Sequence, residues 1–551
     1  MAVYRSWVSR PHAFLMFPGS SHSSPRRSFS RRWFWLWALL AAWGAGGVGG
    51  EGCLGALVRG PYLQNATPGG ITLRWRTEAP APSVVFFGAT PEFLYQVAGN
   101  VEPVTEHIVL LTGLSPSTRY YYSVGSLVES LVEGEDYHFS TLPPPGAPVP
   151  TRIWAMGDSG TVGLERFGNP RQIQVRDAYL AHTAGHPADV WLALGDNAYL
   201  SGTDQEYQTQ FFNIYSSILP NTCLWSTLGN HELYSSPKDG VFPYFKIFSL
   251  PTRGEAGGVP SGTENYYSFD RGNIHFVSLD SELLIDLHPA EMLQWLQADL
   301  AANTNEWLIA FWHSPPYSKG SHDSDDSFGS DPHLVWMREN VVPILESYGV
   351  DLVLSGHSHN YERSYLLNGH YDYSTTLEPS MIIDAGSGRE EEEGAYRKPL
   401  TGTKANAGAV YVVAGSSGWA TYQVDPAGHP AMFFSEVQAG SLLIDVAEHR
   451  MDARFLRDTG VVDDWFTLVK GPMDESFRLS RPVVRGERIR VQWTSRVGSN
   501  YQLEWSPRLD SPDWQPVGDP VTATGTRSAL EPIPPGPEAG FFRVSELPPP
   551  Q

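Results

Sequence analysis

Between residues 57 and 142 the chain consists of short segments in which apolar and polar residues alternate. Gly70–Thr77 and Thr118–Val124 show this period of two, which is typical of strands with one buried face. Because no stretch of helical period interrupts these segments, the pattern predicts a β-sandwich. The proline-rich stretch Leu142–Pro150 predicts a stiff linker and a domain boundary.

From residue 150 to residue 472 apolar strands alternate with segments of helical period, and this pattern predicts a layered α/β domain. In residues 289–303 one helical face carries four large apolar side chains, Met292, Trp295, Leu296 and Leu300. Residues 333–349 predict a second helix, which Pro343 makes imperfect. Residues 478–546 alternate like strands and predict a small β domain without identifiable chemistry.

Five apolar segments of the α/β domain end in the same way, on an aspartate, an asparagine or a histidine. In a layered α/β sheet, ligands bind in the crevice beyond the carboxyl ends of the strands, so these ends should converge. Glycine precedes most of them and allows the backbone to turn sharply. The residues at or just after these ends are Asp158, Asp196, Tyr199, Asn230, His231, His313, His357 and His359.

The donor atoms of these side chains are oxygens and imidazole nitrogens, with no thiolate among them. Such a set suits iron, manganese or zinc rather than a structural zinc site of the cysteine type. The candidate ligands outnumber what one tetrahedral ion can use. Two metal ions that share a carboxylate, about 3.5–4 Å apart, fit the set better.

Composition narrows the range of partners. The 551-residue chain is 41% hydrophobic, as in globular proteins, and its formal net charge of −22 argues against nucleic acid or an acidic membrane surface as a stable partner. An anionic substrate would therefore need a strong local positive charge, which a bound metal supplies. With only two cysteines, Cys53 and Cys223, the fold has no disulfide framework.

The N-terminal region predicts export. Residues 30–47 place two arginines directly before an apolar stretch, as in a twin-arginine signal. Glycines lower the hydrophobicity of that stretch and make it a poor membrane span. Residues 1–52 are therefore expected to form a signal and leader without a clear cleavage site. The expected location is the periplasm, the cell surface or the extracellular space. The alternatives are an ordinary secretory signal and a membrane anchor.

The motif series GDSG, GDNAY, GNHE, a strand-end histidine and GHSH resembles the calcineurin-like metallophosphoesterases. The tyrosine of GDNAY narrows the resemblance to the purple acid phosphatases. The likeness covers residues 59–470, because the stretch LTGLSPSTRYYYSV resembles a late strand of fibronectin type III-like modules. It implies a four-layer α/β/β/α sandwich, flanked by an N-terminal β-sandwich and a small C-terminal β domain.

The same resemblance implies a role for each candidate ligand. Asp158, Tyr199 and His359 would bind a ferric ion, and Asp196 would bridge it to a divalent ion of iron, zinc or manganese. The ligands of the divalent ion would be Asn230, His313 and His357. Two carboxylates and a phenolate suit the more highly charged ion, whereas an amide and two imidazoles suit a divalent ion.

The activity implied is hydrolysis of small phosphate monoesters, of the acid phosphatase type, with a metal-bound hydroxide as the nucleophile. His231 and His322 are the candidates for protonating the leaving group, with a solvated loop as the alternative for His322. Two other functions stay open. One is a phosphodiesterase or nucleotide hydrolase on the same centre, and the other is a surface-binding protein without activity. The sequence leaves the oligomeric state open.

Overall fold

The structure is a computed structural model that describes residues 55–547 with the exception of eleven internal gaps. These gaps are residues 167, 283–288, 328–330, 401–403, 426, 472–482, 486–487, 496–498, 509–513, 524–526 and 531–539. The predicted export signal lies outside the described residues. Among the helices of the described part, none combines the length and the apolar character needed to cross a bilayer.

The N-terminal part forms a six-stranded antiparallel sheet in which a long second strand pairs with three others. Its strands are β1 Leu57–Thr67, β2 Gly70–Gly88, β3 Gln96–Thr112, β4 Arg119–Gly125, β5 Ser130–Val132 and β6 His138–Ser140. The predicted segment Gly70–Thr77 lies within β2, and Thr118–Val124 overlaps β4 except for Thr118.

The alternation in β2 does not leave its polar face in water. Residues 70–75 are all buried, because the polar side chains of this sheet meet the α/β domain. Arg74 donates to the carbonyl of Phe248 at 2.7 Å, and Gln64 of β1 donates to the carbonyl of Leu224 at 2.9 Å. Polar positions in these strands therefore form a contact between two parts of the chain.

Sixteen strands build the central α/β part. In chain order they are β7 Thr151–Met156, β8 Val190–Ala193, β9 Leu224–Ser226, β10 Tyr267–Arg271, β11 Ile274–Ser278, β12 Trp307–Phe311, β13 Leu352–Ser355, β14 Tyr361–Ser364, β15 Leu366–Leu367, β16 Ile382–Asp384, β17 Tyr396–Pro399, β18 Val410–Ala414, β19 Met432–Glu436, β20 Gly440–Ala447, β21 Arg450–Arg457 and β22 Val462–Gly471.

Fourteen of these strands form two seven-stranded sheets, and β15 and β16 form a separate pair. One sheet has the order β17-β22-β21-β20-β7-β8-β9, and the other has the order β10-β11-β12-β13-β18-β14-β19. In the first sheet β7, β8 and β9 are parallel neighbours. In the second sheet β11, β12, β13 and β18 are parallel neighbours. Each sheet therefore directs the carboxyl ends of adjacent strands to one edge.

Helices alternate with these strands along the chain. They are α1 Gln172–His182, α2 Asp204–Glu206, α3 Pro243–Ile247, α4 Pro289–Ala302, α5 Pro332–Trp336 and α6 Val342–Ser347. The π-helical turns are Tyr207–Phe212 and Met337–Val341, and the 3-10 turns are Asn230–Leu233, Ser374–Thr376 and Pro379–Met381.

Packing on these helices confirms the predicted layers. Trp154 of β7 stacks on Tyr179 of α1 with ring centroids 3.9 Å apart. On the other side, α4 buries the four predicted residues Met292, Trp295, Leu296 and Leu300 against the second sheet. The second predicted helix is divided into α5, a π-helical turn and α6, because Pro343 lacks the N–H that a continuous helix needs.

The C-terminal strands form two small sheets around Trp493, Tyr501 and Leu503. They contact the α/β part through Gln492, whose side chain donates to the carbonyl of Glu393 at 2.5 Å. The strands are β23 Val483–Arg485, β24 Arg488–Thr494, β25 Asn500–Ser506, β26 Gln515–Pro516, β27 Val521–Thr522, β28 Arg527–Leu530 and β29 Phe541–Glu546. The boundaries predicted from the sequence for the three domains stay predictions.

Candidate metal centre

Five strand ends from the two seven-stranded sheets meet at one place. Asp158, Asp196 and Asn230 follow β7, β8 and β9 of the first sheet, and His313 and His357 follow β12 and β13 of the second. Because these strands are parallel neighbours in their sheets, their carboxyl ends lie side by side. The sandwich thus brings together side chains that are up to 199 positions apart, as shown by the bond from the His357 N–H to Asp158.

Glycine is required before several candidate ligands because other atoms of the site lie too close for a side chain there. A Cβ atom on Gly229 would lie 2.2 Å from Oδ1 of Asp196, and one on Gly356 would lie 2.5 Å from Oδ2 of Asp158. Gly195 has a φ of 88°, and a Cβ atom there would lie 2.6 Å from Nδ1 of His313. Larger residues would push the turns apart.

Three of the candidate ligands themselves have a left-handed backbone. The φ angles are 58° for Asp158, 52° for Asp196 and 65° for His357. This conformation is uncommon for residues other than glycine and costs free energy, and it tends to occur at functional sites. Hydrogen bonds between neighbouring turns hold this backbone, such as the one from the N–H of Asp158 to the carbonyl of Gly195 at 3.1 Å.

One cluster consists of Asn230, His313 and His357. The Oδ1 atom of Asn230 lies 3.0 Å from Nε2 of His313 and 3.0 Å from Nδ1 of His357, and these two nitrogens are 3.2 Å apart. The amide nitrogen of Asn230 donates to the hydroxyl of Tyr234 at 2.9 Å, which turns Oδ1 toward the histidines.

The outer ring nitrogens of both histidines have other partners. Nδ1 of His313 lies 2.8 Å from the carbonyl of Leu194, and Nε2 of His357 lies 3.4 Å from Asp331. Each outer nitrogen can therefore donate a proton outward, which allows the inner nitrogen to ligate a cation. The Oδ1 atom of Asn230 and the two inner nitrogens thus offer one cation three ligand atoms.

Asp196 lies beside this cluster and is almost fully buried. Its Oδ2 atom is 3.5 Å from Nε2 of His313, and its Oδ1 atom accepts the backbone N–H of His231 at 2.9 Å. Burial acts against ionisation, but His313 and His231 hold the pKa of Asp196 well below its usual range. Asp158, Asp196 and His313 offer ligand atoms that all lie within 4.8 Å of one another. Asp196 is therefore placed to serve both halves of the site.

The second cluster consists of Asp158, Tyr199 and His359. The Tyr199 hydroxyl lies 3.0 Å from Oδ1 of Asp158 and 3.2 Å from Nε2 of His359. The Nε2 atom of His359 is 3.4 Å from the same carboxylate oxygen. Burial and the two aspartates raise the pKa of Tyr199 well above its ordinary value. The phenol therefore keeps its proton beside Asp158 unless a cation takes the place of that proton.

His231 and His322 border the cluster atoms and keep partial access to solvent. Nε2 of His231 lies 3.8 Å from Oδ2 of Asp196, while its Nδ1 donates to the carbonyl of Leu200 at 2.8 Å. The ring of His322 lies 3.9 Å from the ring of His357, and its Nδ1 is 2.8 Å from Asp331. All nine side chains predicted for the site are thus brought together.

Sequence reasoning missed two side chains that contact the site. Asp331 lies between His322 and His357, and Trp419 donates from Nε1 to Nδ1 of His359 at 2.7 Å. Asp331 does not follow an apolar strand, so the hydrophobic pattern of the sequence did not indicate it. Trp419 directly follows the apolar stretch GAVYVVAGSSG, residues 408–418, which ends in glycine and serine rather than in a candidate ligand.

Comparisons with known proteins define the class of this chain. A family model described as calcineurin-like phosphoesterase matches residues 151–361, which include all nine site residues. A second model, described as the purple acid phosphatase N-terminal domain, matches residues 61–141. The chain therefore contains a calcineurin-like phosphoesterase domain, preceded by a domain similar to the N-terminal domain of purple acid phosphatases, as the motifs predicted.

Three relatives illustrate the likeness. Purple acid phosphatase 15 of Arabidopsis thaliana is 31% identical over 54% of this chain and 57% of its own length. Human acid phosphatase type 7 is 26% identical over 62% of this chain and 82% of its own length. The solved purple acid phosphatase PPD1 of yellow lupin shares the fold, with a TM-score of 0.56 and 21% identity over 75% of this chain and 74% of the lupin chain.

Coverage limits what these relatives imply about the whole protein. The match to the Arabidopsis relatives purple acid phosphatase 15, 22 and 23 spans 57–63% of their lengths, which is less than two thirds. Activity, substrate and cellular location are therefore proposals for this chain.

Proposed function

We propose that the protein hydrolyses phosphate monoesters at a dinuclear metal centre. The observation that carries the proposal is the convergence of Asn230 Oδ1, His313 Nε2 and His357 Nδ1 at 3.0–3.2 Å, beside a buried carboxylate. An amide oxygen and two imidazole nitrogens this close together form a ligand set for one divalent cation. Similarity to proteins named as purple acid phosphatases supports a phosphate ester as the substrate.

In this proposal the two clusters bind different ions. Asp158 and Tyr199 offer hard, anionic donors to a ferric ion, and His359 adds a neutral nitrogen. Asn230, His313 and His357 offer neutral donors to a divalent ion. Asp196 is shared between them. When bound, the two cations would offset the charge on the phosphoryl oxygens and ease the deprotonation of water.

His231 and His322, which border the two clusters, complete the proposed site. Because the Nδ1 proton of His231 is held by the carbonyl of Leu200, its Nε2 atom is directed toward Asp196 and can exchange a proton with the leaving oxygen. His322 is fixed in the same way by Asp331. The side chains of His231 and His322 are 23% and 28% exposed, so both groups can reach substrate.

Metal analysis combined with a visible spectrum tests this assignment. A phenolate on ferric iron gives a charge-transfer band, so the purified protein should be coloured and contain two metal ions per chain. Tyr199→Phe should remove the colour, whereas Tyr179→Phe, which changes a buried tyrosine of α1, should leave it unchanged. A protein free of transition metals under every preparation would refute the proposal.

The substrate class needs a separate comparison. A nitrophenyl monoester should be cleaved faster than the matching diester, at acid to neutral pH. Faster cleavage of the diester would favour a phosphodiesterase on the same centre. Absence of turnover with both metals bound would favour a binding protein. We further propose that the protein acts outside the cytoplasm. This proposal is based only on the sequence of residues 30–47.

A further inference from the structure

Two arginines of the N-terminal sheet bind an aspartate of the α/β domain. The guanidinium of Arg76 in β2 contacts both carboxylate oxygens of Asp204, at 2.5 and 2.8 Å. Arg59 in β1 donates to the same carboxylate at 3.1 Å. A bidentate pair between arginine and carboxylate fixes orientation as well as distance. Asp204 is therefore held in place by the N-terminal sheet.

Arg59 strengthens this contact because its side chain is fully buried. Its guanidinium lies 4.2 Å from the ring centroid of Phe212, and its Nε atom donates to Gln208 at 2.9 Å. Both partners belong to the helical segment that Asp204 begins. The N-terminal sheet therefore holds the start and the body of this segment at once.

The segment in turn holds the loop that follows the GDNAY motif. Glu206 and Thr203 form a capping box at the start of α2. The carboxylate of Glu206 also accepts the backbone N–H of Leu200 at 2.6 Å and that of Ser201 at 3.2 Å. Leu200, Ser201 and Thr203 are thus bound to one carboxylate, which lies two positions beyond Asp204.

Tyr199 and Leu200, at the start of this loop, both contact the proposed site. The N–H of Tyr199 donates to Gln210 of the same helical segment at 2.8 Å, and the Tyr199 hydroxyl contacts Asp158. The carbonyl of Leu200 accepts Nδ1 of His231 at 2.8 Å. A shift of the segment would therefore move a candidate metal ligand and a candidate acid together.

We propose that Arg59, Arg76 and Asp204 are positioning residues, through which the N-terminal sheet sets the geometry of Tyr199 and His231. This inference rests on the proposed function, because the roles of Tyr199 and His231 are part of it. The N-terminal sheet then contributes to the metal centre without placing any residue in it.

The test compares Asp204→Asn with Asn65→Ala in the full-length protein. Asn65 also joins the N-terminal sheet to the α/β domain, through Glu255 at 3.0 Å, but this contact does not involve residues 199–206. Hydrogen exchange of peptides covering residues 199–206, the visible band and the steady-state constants for nitrophenyl phosphate are measured. If Asp204→Asn does not fold, Arg76→Lys, which keeps the charge but not the paired hydrogen bonds, replaces it.

We expect Asp204→Asn to speed exchange at residues 200–203 at least tenfold, to shift or weaken the band, and to lower kcat about tenfold or more with a smaller change in KM. Asn65→Ala should change none of these. Unchanged exchange in Asp204→Asn overturns the inference, whatever the colour of the wild type. Faster exchange with an unchanged band and kcat overturns it as well. If exchange is faster in Asp204→Asn but the wild type contains no metal, the contact with the loop is supported. The proposed function is then refuted instead.

Discussion

The carboxylate of Glu232 accepts a hydrogen bond from the backbone N–H of Asp196 at 3.0 Å and, with the same oxygen, one from Gly229 at 2.8 Å. Its other oxygen accepts the N–H of Asn197 at 2.8 Å and the hydroxyl of Tyr207 at 2.9 Å. Burial, together with the charge of Asp196, raises the pKa of Glu232 to about 7. Glu232 therefore joins the turns after β8 and β9 and supports the residues that carry the candidate ligands.

Glu232→Gln should release both turns. The amide places N–H groups against backbone N–H donors, and each buried donor left without a partner costs about 1–3 kcal/mol. We expect a loss of at least that much in the free energy of unfolding, measured in urea, and a fall in metal content. Tyr207→Phe keeps the carboxylate and removes one donor, so its loss should be about 1 kcal/mol. Equal stability and metal content in Glu232→Gln and the wild type would show that the carboxylate is dispensable.

His231→Ala should lower kcat by about 10²-fold or more without loss of metal. The reason is that Asp196 is bound by the backbone N–H of His231, which alanine retains, while the ring that faces the site is removed. Metal analysis and kinetics on the same preparation check this expectation. His182→Ala, at the exposed end of α1, serves as the control and should match the wild type. Metal loss in His231→Ala would contradict its role as an acid.

Local sequence pattern predicts those parts of the site that lie directly after buried strands. Asp158, Asp196 and His357 were found because an apolar run and a glycine precede each of them, and a layered sheet brings such ends together. Asp331 could not be found in this way, because it reaches His322 and His357 from a segment without strand character. Contacts between distant segments leave no periodic signal in either one.

The same limit applies to the fold. The face of α4 was predicted because its four large apolar residues repeat with helical period, which local sequence displays directly. The buried polar face of β2 was not predicted, because alternation cannot distinguish a polar side chain in water from one packed against another part of the chain. Arg74 and Arg76 look like solvent-facing residues, yet both bind the α/β domain.

Gly356→Ala should impair metal binding more than it lowers the stability of the protein. The added Cβ would lie 2.5 Å from Oδ2 of Asp158 and 2.9 Å from the carbonyl of Leu194, so either the carboxylate or the turn that carries His357 must move. We expect metal content to fall and kcat/KM to drop about tenfold or more. Gly60→Ala in β1, where a Cβ meets nothing within 4 Å, is the matched control. A Gly356→Ala protein with two metal ions and wild-type kinetics would show that the turn has room to spare.

His275 should make stability depend on pH far from the metal centre. Its ring nitrogens lie 2.6 Å from Asp270 and 2.8 Å from Asp299, and although burial lowers the pKa, these carboxylates raise it to about 9. The unfolded value is about 6.5. The contribution of the protonated ring is therefore complete below about pH 6.5 and is lost as pH rises to about 9, by about 3 kcal/mol at ~1.4 kcal/mol per pH unit. Urea unfolding of chelator-treated protein at pH 6 and pH 9 should show this fall, and His275→Gln should reduce it. Parallel pH profiles for wild type and His275→Gln would contradict the assignment.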